Sequence, residues 1–468
     1  MGTNTTDSKN RKKRSTIKPP IVYMSDIQKE TFQNGFQCIY QKSYSAIPMT
    51  SILCLVKLGS IYEDNTSRGS AHFIEHMCFK GTKKIPSAKA ISTVYDKIGA
   101  YFNAYTTKEY TGYVINCEDK YVENSISVLS DMLFNSTFNK KQFLLERNVV
   151  IEEAIRDEDN PESIIDDMSD RLTYEGSPFE NPIDDLKYHH KSALEYAGTL
   201  KSYKTYYVPS NMCISIVSNH SFMIIKQIIS KTFFAHTSQK CSIINPEFPI
   251  VEKTEGIRYN LRKKMGITAN YLCMTFRTCD YNHADTSGLT VLSEILGGYM
   301  SSRLFQVLRE QNGLTYRSSC YVTYYKSMGE IQLFVITDPK KLLDHGSSVG
   351  VLTLLVSLLN KLCKDGVTKE ELEIAKGHIK GSYLSDLQKA SNIAFANGTD
   401  YFIYKSPKIV PYDKIYDTYY KKITKDDIMR IISTYFTKDR LVICLLGQHI
   451  PGLASVKKSM ERFIPHSV

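Results

Sequence analysis

Tyr206-Tyr-Val-Pro-Ser-Asn-Met212-Cys-Ile-Ser-Ile-Val-Ser-Asn-His220 lines up without gaps on Tyr435-Phe-Thr-Lys-Asp-Arg-Leu441-Val-Ile-Cys-Leu-Leu-Gly-Gln-His449, 229 residues downstream in a chain of 468. Each copy reads as a helix end, a short turn and an apolar strand. An offset of about half the chain points to a duplicated α/β unit. Length agrees, because 53.4 kDa is too much for one ordinary core. Strand-like runs, Thr50 to Leu58 and Tyr271 to Phe276, come early in each half. Amphipathic helices follow, such as Val351 to Leu359 and one opened by the capping box Thr368…Glu371. The expected fold is therefore α+β: two homologous α/β domains, each an antiparallel-rich sheet with helices packed to one side. The expected boundaries are a basic tail at 1–20, a first domain at 21–235, a linker at 236–256 and a second domain at 257–468. Asn245-Pro-Glu-Phe-Pro249 breaks any helix or central strand within that linker. His220 and His449 occupy matching places in the two copies, which marks them as structural.

Only the first half carries His72-Phe-Ile-Glu75-His76. Two histidines four apart lie one helical turn apart on one face and can close on a single ion. Glu75 projects beside them, placed to take a proton from a metal-bound water rather than to ligate. The bland alternative is a surface helix with two unrelated histidines. Met77, Cys78 and Phe79 make the helix partly apolar, and Gly81 supplies a stop, so burial suits it better.

Such a centre needs a third protein ligand and an open fourth position. Helical spacing in Glu146-Arg-Asn-Val-Val-Ile-Glu152-Glu153 puts Glu146 and Glu153 on one face and Glu152 about 100° away. One of the aligned pair could ligate and the other orient ligands or water. An exposed acidic helix paired with Arg147 and Arg156 has the same periodicity.

These residues resemble the pitrilysin family of metallopeptidases, the inverzincins, which includes insulysin and the mitochondrial processing peptidases. Gly99 to Thr111 is similar to the family's substrate-binding edge strand, with Gly99, Asn103, Ala104, Thr106, Glu109 and Thr111 matching and Tyr105 at an unspecified position between them. The stretch Gly297 to Phe305, with Leu308-Arg309-Glu310 and Gly313-Leu-Thr-Tyr316, resembles the second domain of the processing peptidases' catalytic β-type chains. The resemblance implies zinc, one Zn²⁺ per chain, on His72, His76 and Glu153, with Glu146 in an outer position. It implies endopeptidase cleavage of peptides or unfolded precursor segments, using a zinc-bound hydroxide with Glu75 as general base. Substrate is expected to add as a strand along Asn103–Thr106. Arg309 and Tyr316 match a pair that meets substrate from the opposite face. Chains of this length usually pair in the family, as a homodimer or with an α-type chain, so that pair should act in trans. In the processing peptidases, acidic residues 10 and 14 positions after the third ligand receive a substrate arginine. Those positions are Ser163 and Asp167, within an acidic run from Asp157 through Glu162 and Asp166. The alternative function is a non-catalytic core subunit of a larger complex; such subunits have lost zinc residues that this chain retains.

Composition is that of a globular enzyme, with 42% apolar and 23% charged residues. The net charge of +10 is half explained by Lys9, Arg11, Lys12, Lys13, Arg14 and Lys18 against Asp7. The rest is dispersed without interleaved aromatics, so no nucleic-acid partner is expected. Met1-Gly2-Thr-Asn-Thr-Thr6 fits N-myristoylation, and membrane attachment is expected only if Gly2 is acylated. The 11 scattered cysteines include no C-x-x-C, which fits a reducing compartment: cytoplasm first, mitochondrial matrix second.

Overall fold

The computed structural model describes residues 27–184, 195–233 and 255–465. The basic tail and almost all of the expected linker lie outside these residues. The first half runs β1 (Gln28–Thr31), β2 (Gln37–Lys42), β3 (Met49–Val56), α1 (Ser70–Cys78), α2 (Ala88–Lys97), β4 (Tyr101–Thr106), β5 (Thr111–Glu118), α3 (Val122–Asn135), α4 (Lys140–Asp159), α5 (Pro161–Thr173), α6 (Tyr196–Tyr206), β6 (Met212–Ser218) and α7 (Phe222–Lys231). The second runs β7 (Arg258–Lys263), β8 (Asn270–Thr278), α8 (Thr286–Ser293), β9 (Thr315–Tyr324), β10 (Gly329–Thr337), α9 (Val351–Asp365), α10 (Lys369–Asp386), α11 (Ala390–Gly398), α12 (Lys425–Tyr435), β11 (Leu441–Gly447) and α13 (Leu453–Glu461).

The sheets have orders β1-β2-β6-β3-β5-β4 and β7-β11-β8-β10-β9. Without β1 the two orders are the same, strand for strand, and the repeated segments are β6 and β11. Each sheet is antiparallel except for one parallel pair, β2–β6 or β7–β11.

Side-chain alternation shows how each sheet is covered. Along β3, Ile52, Cys54 and Val56 enter one core, and Leu53 and Leu55 enter another. Along β11, Leu441, Ile443 and Leu445 face one core, and Val442, Cys444 and Leu446 a second. Strands buried on both faces read as near-continuous apolar runs. The first face of each sheet packs on its own half's helices. The second corrects the one-sided expectation: it is covered by a helix of the opposite half. Ile393 and Ala394 of α11 join the outer core of the first sheet, and Ile164, Ile165 and Met168 of α5 that of the second.

The exchanged helices bring polar groups to the seam between the halves, and several of them pair across it. Ser169 Oγ lies 2.8 Å from Thr275 Oγ1, Tyr174 donates to Glu330 at 2.8 Å, and Asn397 to Gln41 Oε1 at 2.7 Å. Among the described residues no helix is long and apolar enough to cross a membrane.

Candidate metal centre

Helix α1 starts sharply. Gly69 has φ +74°, the left-handed region that favours glycine, and turns the chain into the helix. Its free N-terminal donors are met from outside: Glu63 accepts the N–H of Gly69 at 2.8 Å and of Ala71 at 2.7 Å. Burial, only partly offset by those bonds, pushes the Glu63 acid up to about 8. Phe73, Ile74 and Met77 are buried, and Phe73 packs on Phe143 of α4 with ring centroids 4.5 Å apart. This contact holds α1 and α4 together.

The two helices bring His72, His76 and Glu153 into one cluster, with one ligand-type atom of each within 4.8 Å of the others. His72 Nε2 and His76 Nε2 are 3.2 Å apart, and Glu153 Oε2 is 3.5 Å from His76 Nε2. Ligands about 2.0–2.1 Å from a tetrahedral zinc stand about 3.3–3.5 Å from one another, so the donor set fits that ion. Glu152 is exposed on the other side of α4.

Each histidine meets a carboxylate at its other nitrogen. His76 Nδ1 lies 2.8 Å from Glu146 Oε1, whose second oxygen is 2.6 Å from Lys80 Nζ. Burial works against the Glu146 charge, but His76 and Lys80 outweigh it and hold the acid below its ordinary range. His72 Nδ1 lies 2.5 Å from Asp184 Oδ1, a close ion-pair contact rather than a well-aligned hydrogen bond. Burial disfavours the charged His72 ring, yet Asp184, Glu75 and Glu153 together hold it up at about 9. The pocket thus favours positive charge.

Glu75 is 8% exposed and points to the side of the triad. Burial raises its pKa against the pull of Thr106 and the two histidines. Thr106 Oγ1 donates to Glu75 Oε2 at 2.7 Å, which ties α1 to the end of β4. Strand β4 is an outer strand, paired with β5 alone. Ala104 N–H donates to its neighbour Asn103 Oδ1 at 2.9 Å instead of to a strand. That N–H therefore belongs to the open edge. The Tyr105 side chain turns inward, toward Tyr110 and Phe395, into space that Gly112 leaves: a Cβ there would stand 2.6 Å from the Tyr105 ring. Successive residues of a strand turn their main-chain groups to opposite sides, so with Ala104 on the open edge the main chain of Tyr105 faces Gly112 of β5.

The acidic run divides. Glu162 pairs with Arg317 at 2.8 Å, and Asp166 accepts from Gln332 at 3.5 Å, so both serve the seam. Ser163 and Asp167 line a cleft of about 600 Å³ together with Asp157, Glu158 and Asp184, and with Arg171, Arg262 and Lys263. Burial, then Asp170, raises the Asp167 acid to about 6. Arg309 and Tyr316 lie in the second half, where Arg309 Nη1 donates to the Tyr316 carbonyl at 2.8 Å. Tyr316 is 62% exposed. Neither has a hydrogen bond or ion pair to the triad among the described residues.

Asp184 and Glu63 escape sequence reasoning. Both sit in irregular segments, where no periodicity ties them to His72 or to the start of α1. Thr106 was legible as a strand residue but not as the partner of Glu75.

Among the described residues the second half has no counterpart of the cluster. Val56 pairs with Met212 and Phe276 with Leu441, so β3 and β8 correspond at an offset of 220. That register sets buried Leu292, Ile295 and Leu296 against His72, Glu75 and His76. The N-caps Asn139 and Thr368 likewise match α4 to α10 and set Ala375 and Ser382 against Glu146 and Glu153.

A duplicated α+β chain with, among its described residues, one metal-type cluster that lies in the first half is the class these observations define. Residues 42–185 match the family described as Insulinase (Peptidase family M16), and residues 198–378 match the Peptidase M16 inactive domain. The chain belongs to peptidase family M16. It is 32% identical over 373 residues to an "uncharacterized zinc protease YmxG" of Bacillus subtilis, covering 80% of this chain and 87% of the relative. With an "uncharacterized zinc protease" of Rickettsia bellii it shares 29% over 416 residues, 86% of this chain and 90% of the other. The crystal structure of a protease from Helicobacter pylori superposes with TM-score 0.79 at 21% identity, covering 91% of this chain and all of the other, which shows the common fold.

Proposed function

We propose that the protein is a zinc-dependent endopeptidase acting on peptides or unfolded segments at the α1–α4 cluster. The observation that carries this reading is a juxtaposition: Glu75 stands beside the His72–His76–Glu153 triad and is bonded through Thr106 to an open strand edge. His72, His76 and Glu153 would hold one zinc per chain, and their spacing supports that assignment. Glu146 and Asp184 would fix the rings so that both Nε2 atoms face the ion. Bound zinc supplies a Lewis acid that lowers the pKa of water and polarises a carbonyl. Glu75 would accept a proton from the attacking water and pass it to the leaving amine. Thr106 holds the Glu75 carboxylate in place for both transfers. A substrate strand laid antiparallel on Asn103–Thr106 would displace the Asn103 side chain from Ala104 N–H. Main-chain bonds then give affinity with little sequence demand. Four acids and three cations on the Asp167 cleft support only a modest preference for Arg or Lys near the scissile bond.

The test is a purified chain assayed for zinc content and for cleavage of matched peptides with Arg, Ala or Glu beside the scissile bond. Glu75→Gln should keep zinc and lose at least about 10²-fold in rate. His72→Ala and His76→Ala should lose the metal. Zinc binding without turnover of any peptide by the wild type would favour the scaffold-subunit reading. An empty Glu75→Gln site would refute the role given to Glu75.

A further inference from the structure

A second cavity, of about 340 Å³, opens on the seam between the halves and shares no lining residue with the metal cluster. Thr173 at the end of α5 contributes one wall, and Arg277, Thr278, Ser327 and Arg440 contribute others from the second half. Arg277 is only 6% exposed, and Thr173 1%. Thr173 Oγ1, Thr278 Oγ1 and Ser327 Oγ are buried without a hydrogen-bond partner. Unsatisfied buried hydroxyls are costly unless something enters to meet them.

Two arginines bring positive charge to the cavity wall: Arg440, and Arg277, whose Nη2 donates to the Asp439 carbonyl at 2.6 Å. Burial, then the neighbouring Arg258 and Arg440, push the Arg277 pKa below its usual range, and Asp439 and Tyr174 offset this only in part. Arg258 is occupied by Glu175 at 3.0 Å. Arg440 stacks over Tyr435 and, among the described residues, pairs with no carboxylate. Asp280 is the one carboxylate on the wall, and its Oδ1 is held by Asn282 N–H at 2.9 Å within its own turn.

We propose that this cavity binds a tetrahedral oxyanion of the phosphate class, with Arg277 and Arg440 as charged donors and Thr173, Thr278 and Ser327 as hydroxyl donors. Guanidinium forks suit phosphate oxygens, and hydroxyls from several directions suit a tetrahedral rather than a planar anion. Small-molecule sites start at about 300 Å³, so there is room for a free ion or a compact phosphate monoester. The walls come from both halves, so a bound anion would pin α5 to the sheet that it crosses over to cover.

Calorimetric titration of the full chain with inorganic phosphate, glycerol phosphate and acetate tests the proposal. A parallel series on His72→Ala separates this site from phosphate bound at the metal. The expected result is saturable one-to-one binding of phosphate or its ester, retained in His72→Ala. Arg440→Gln should weaken it about tenfold or more, and Thr173→Val several-fold. Phosphate should raise the unfolding midpoint of the wild type and not that of Arg440→Gln. The monoester binding more tightly than the free ion would identify the ligand as phosphorylated organic material; the reverse would identify the ion itself. The proposal is overturned if no phosphate binds, if acetate binds as tightly, or if both variants bind like the wild type.

Discussion

Replacing Asp184 tests whether the metal centre depends on a residue outside the spacing of its ligands. Its carboxylate sits 2.5 Å from His72 Nδ1, the counterpart of the 2.8 Å contact between Glu146 and His76 Nδ1. Glu146 divides its charge between His76 and Lys80. Asp184 has no lysine or arginine partner among the described ion pairs, so more of its charge acts on the ring. Carboxylates in this position typically carry 10–100-fold in metal affinity, about 1.4–2.7 kcal/mol. Asp184→Asn keeps an acceptor oxygen and removes the charge; Asp184→Leu removes both. Zinc affinity, measured by competition with a chromophoric chelator at fixed pH, should fall in the order wild type, Asn, Leu, with the Leu variant 10–100-fold weaker. Asp184 also steadies the charged His72 ring of the metal-free protein, so thermal unfolding without metal measures separately what each substitution costs the fold. An Asp184→Leu affinity within about twofold of wild type, with the metal-free fold intact, would refute the reasoning.

Glu153→Gln should cut zinc affinity strongly, and Glu152→Gln should behave like the wild type; the same chelator competition reads both, and the reverse order would place the helix register off by one. Glu109 gives a pH signature. Burial raises its acid to about 7, against the Lys326 N–H bond and the charges of Lys326 and Lys57. The folded chain therefore holds a proton that the unfolded chain releases near pH 4.5, and this stability is lost as pH rises from about 4.5 through 7, up to about 3 kcal/mol. Glu109→Gln should flatten that slope in urea unfolding at pH 5 and pH 8 while keeping the acceptor for Lys326; an unchanged slope would exclude Glu109 as its source. Mixing inactive Glu75→Gln chains with Arg309→Ala/Tyr316→Ala chains should restore partial activity if the exposed pair works across a dimer, and no recovery from exchanged dimers would sink that arrangement.

The duplication was legible because β6 and β11 are buried on both faces and keep their apolar pattern in register across 229 positions. The cluster was legible because helical geometry alone sets His72 on His76 and Glu146 on Glu153. The exchange of α5 and α11 was not. An amphipathic stripe says that a helix has a buried face but not which sheet receives it, and both sheets offer equivalent outer faces. The division of the acidic run was hidden for a related reason: sequence shows the charges on α5, while Arg317 and Gln332, which meet Glu162 and Asp166, come from strands far along the chain. Tyr105 sits in a strand whose open edge the sequence indicated, but only the space left by Gly112 decides which way its ring points.

The half without a metal cluster still shapes the one that has it. Helix α5 is docked on the second sheet, and the chain leaving it passes directly to the site. Lys108, just beyond β4, donates to the Phe179 and Asn181 carbonyls at 2.9 Å and meets Asp170 of α5 at 3.0 Å. Glu109, the next residue, accepts from Lys326 N–H of the second half at 2.9 Å. Three residues past Asn181, Asp184 reaches His72. The segment from Asp170 to Asp184 is thus a strap: one end is fixed by the second sheet, its middle holds the end of the open strand, and its tip touches a histidine of the triad. The second half, with no such cluster among its described residues, is therefore not dispensable. A change in how α5 sits on β8 and β11 moves the strand edge and the Asp184 contact together, so packing defects in the outer core of the second sheet should weaken metal affinity and peptide cleavage in parallel.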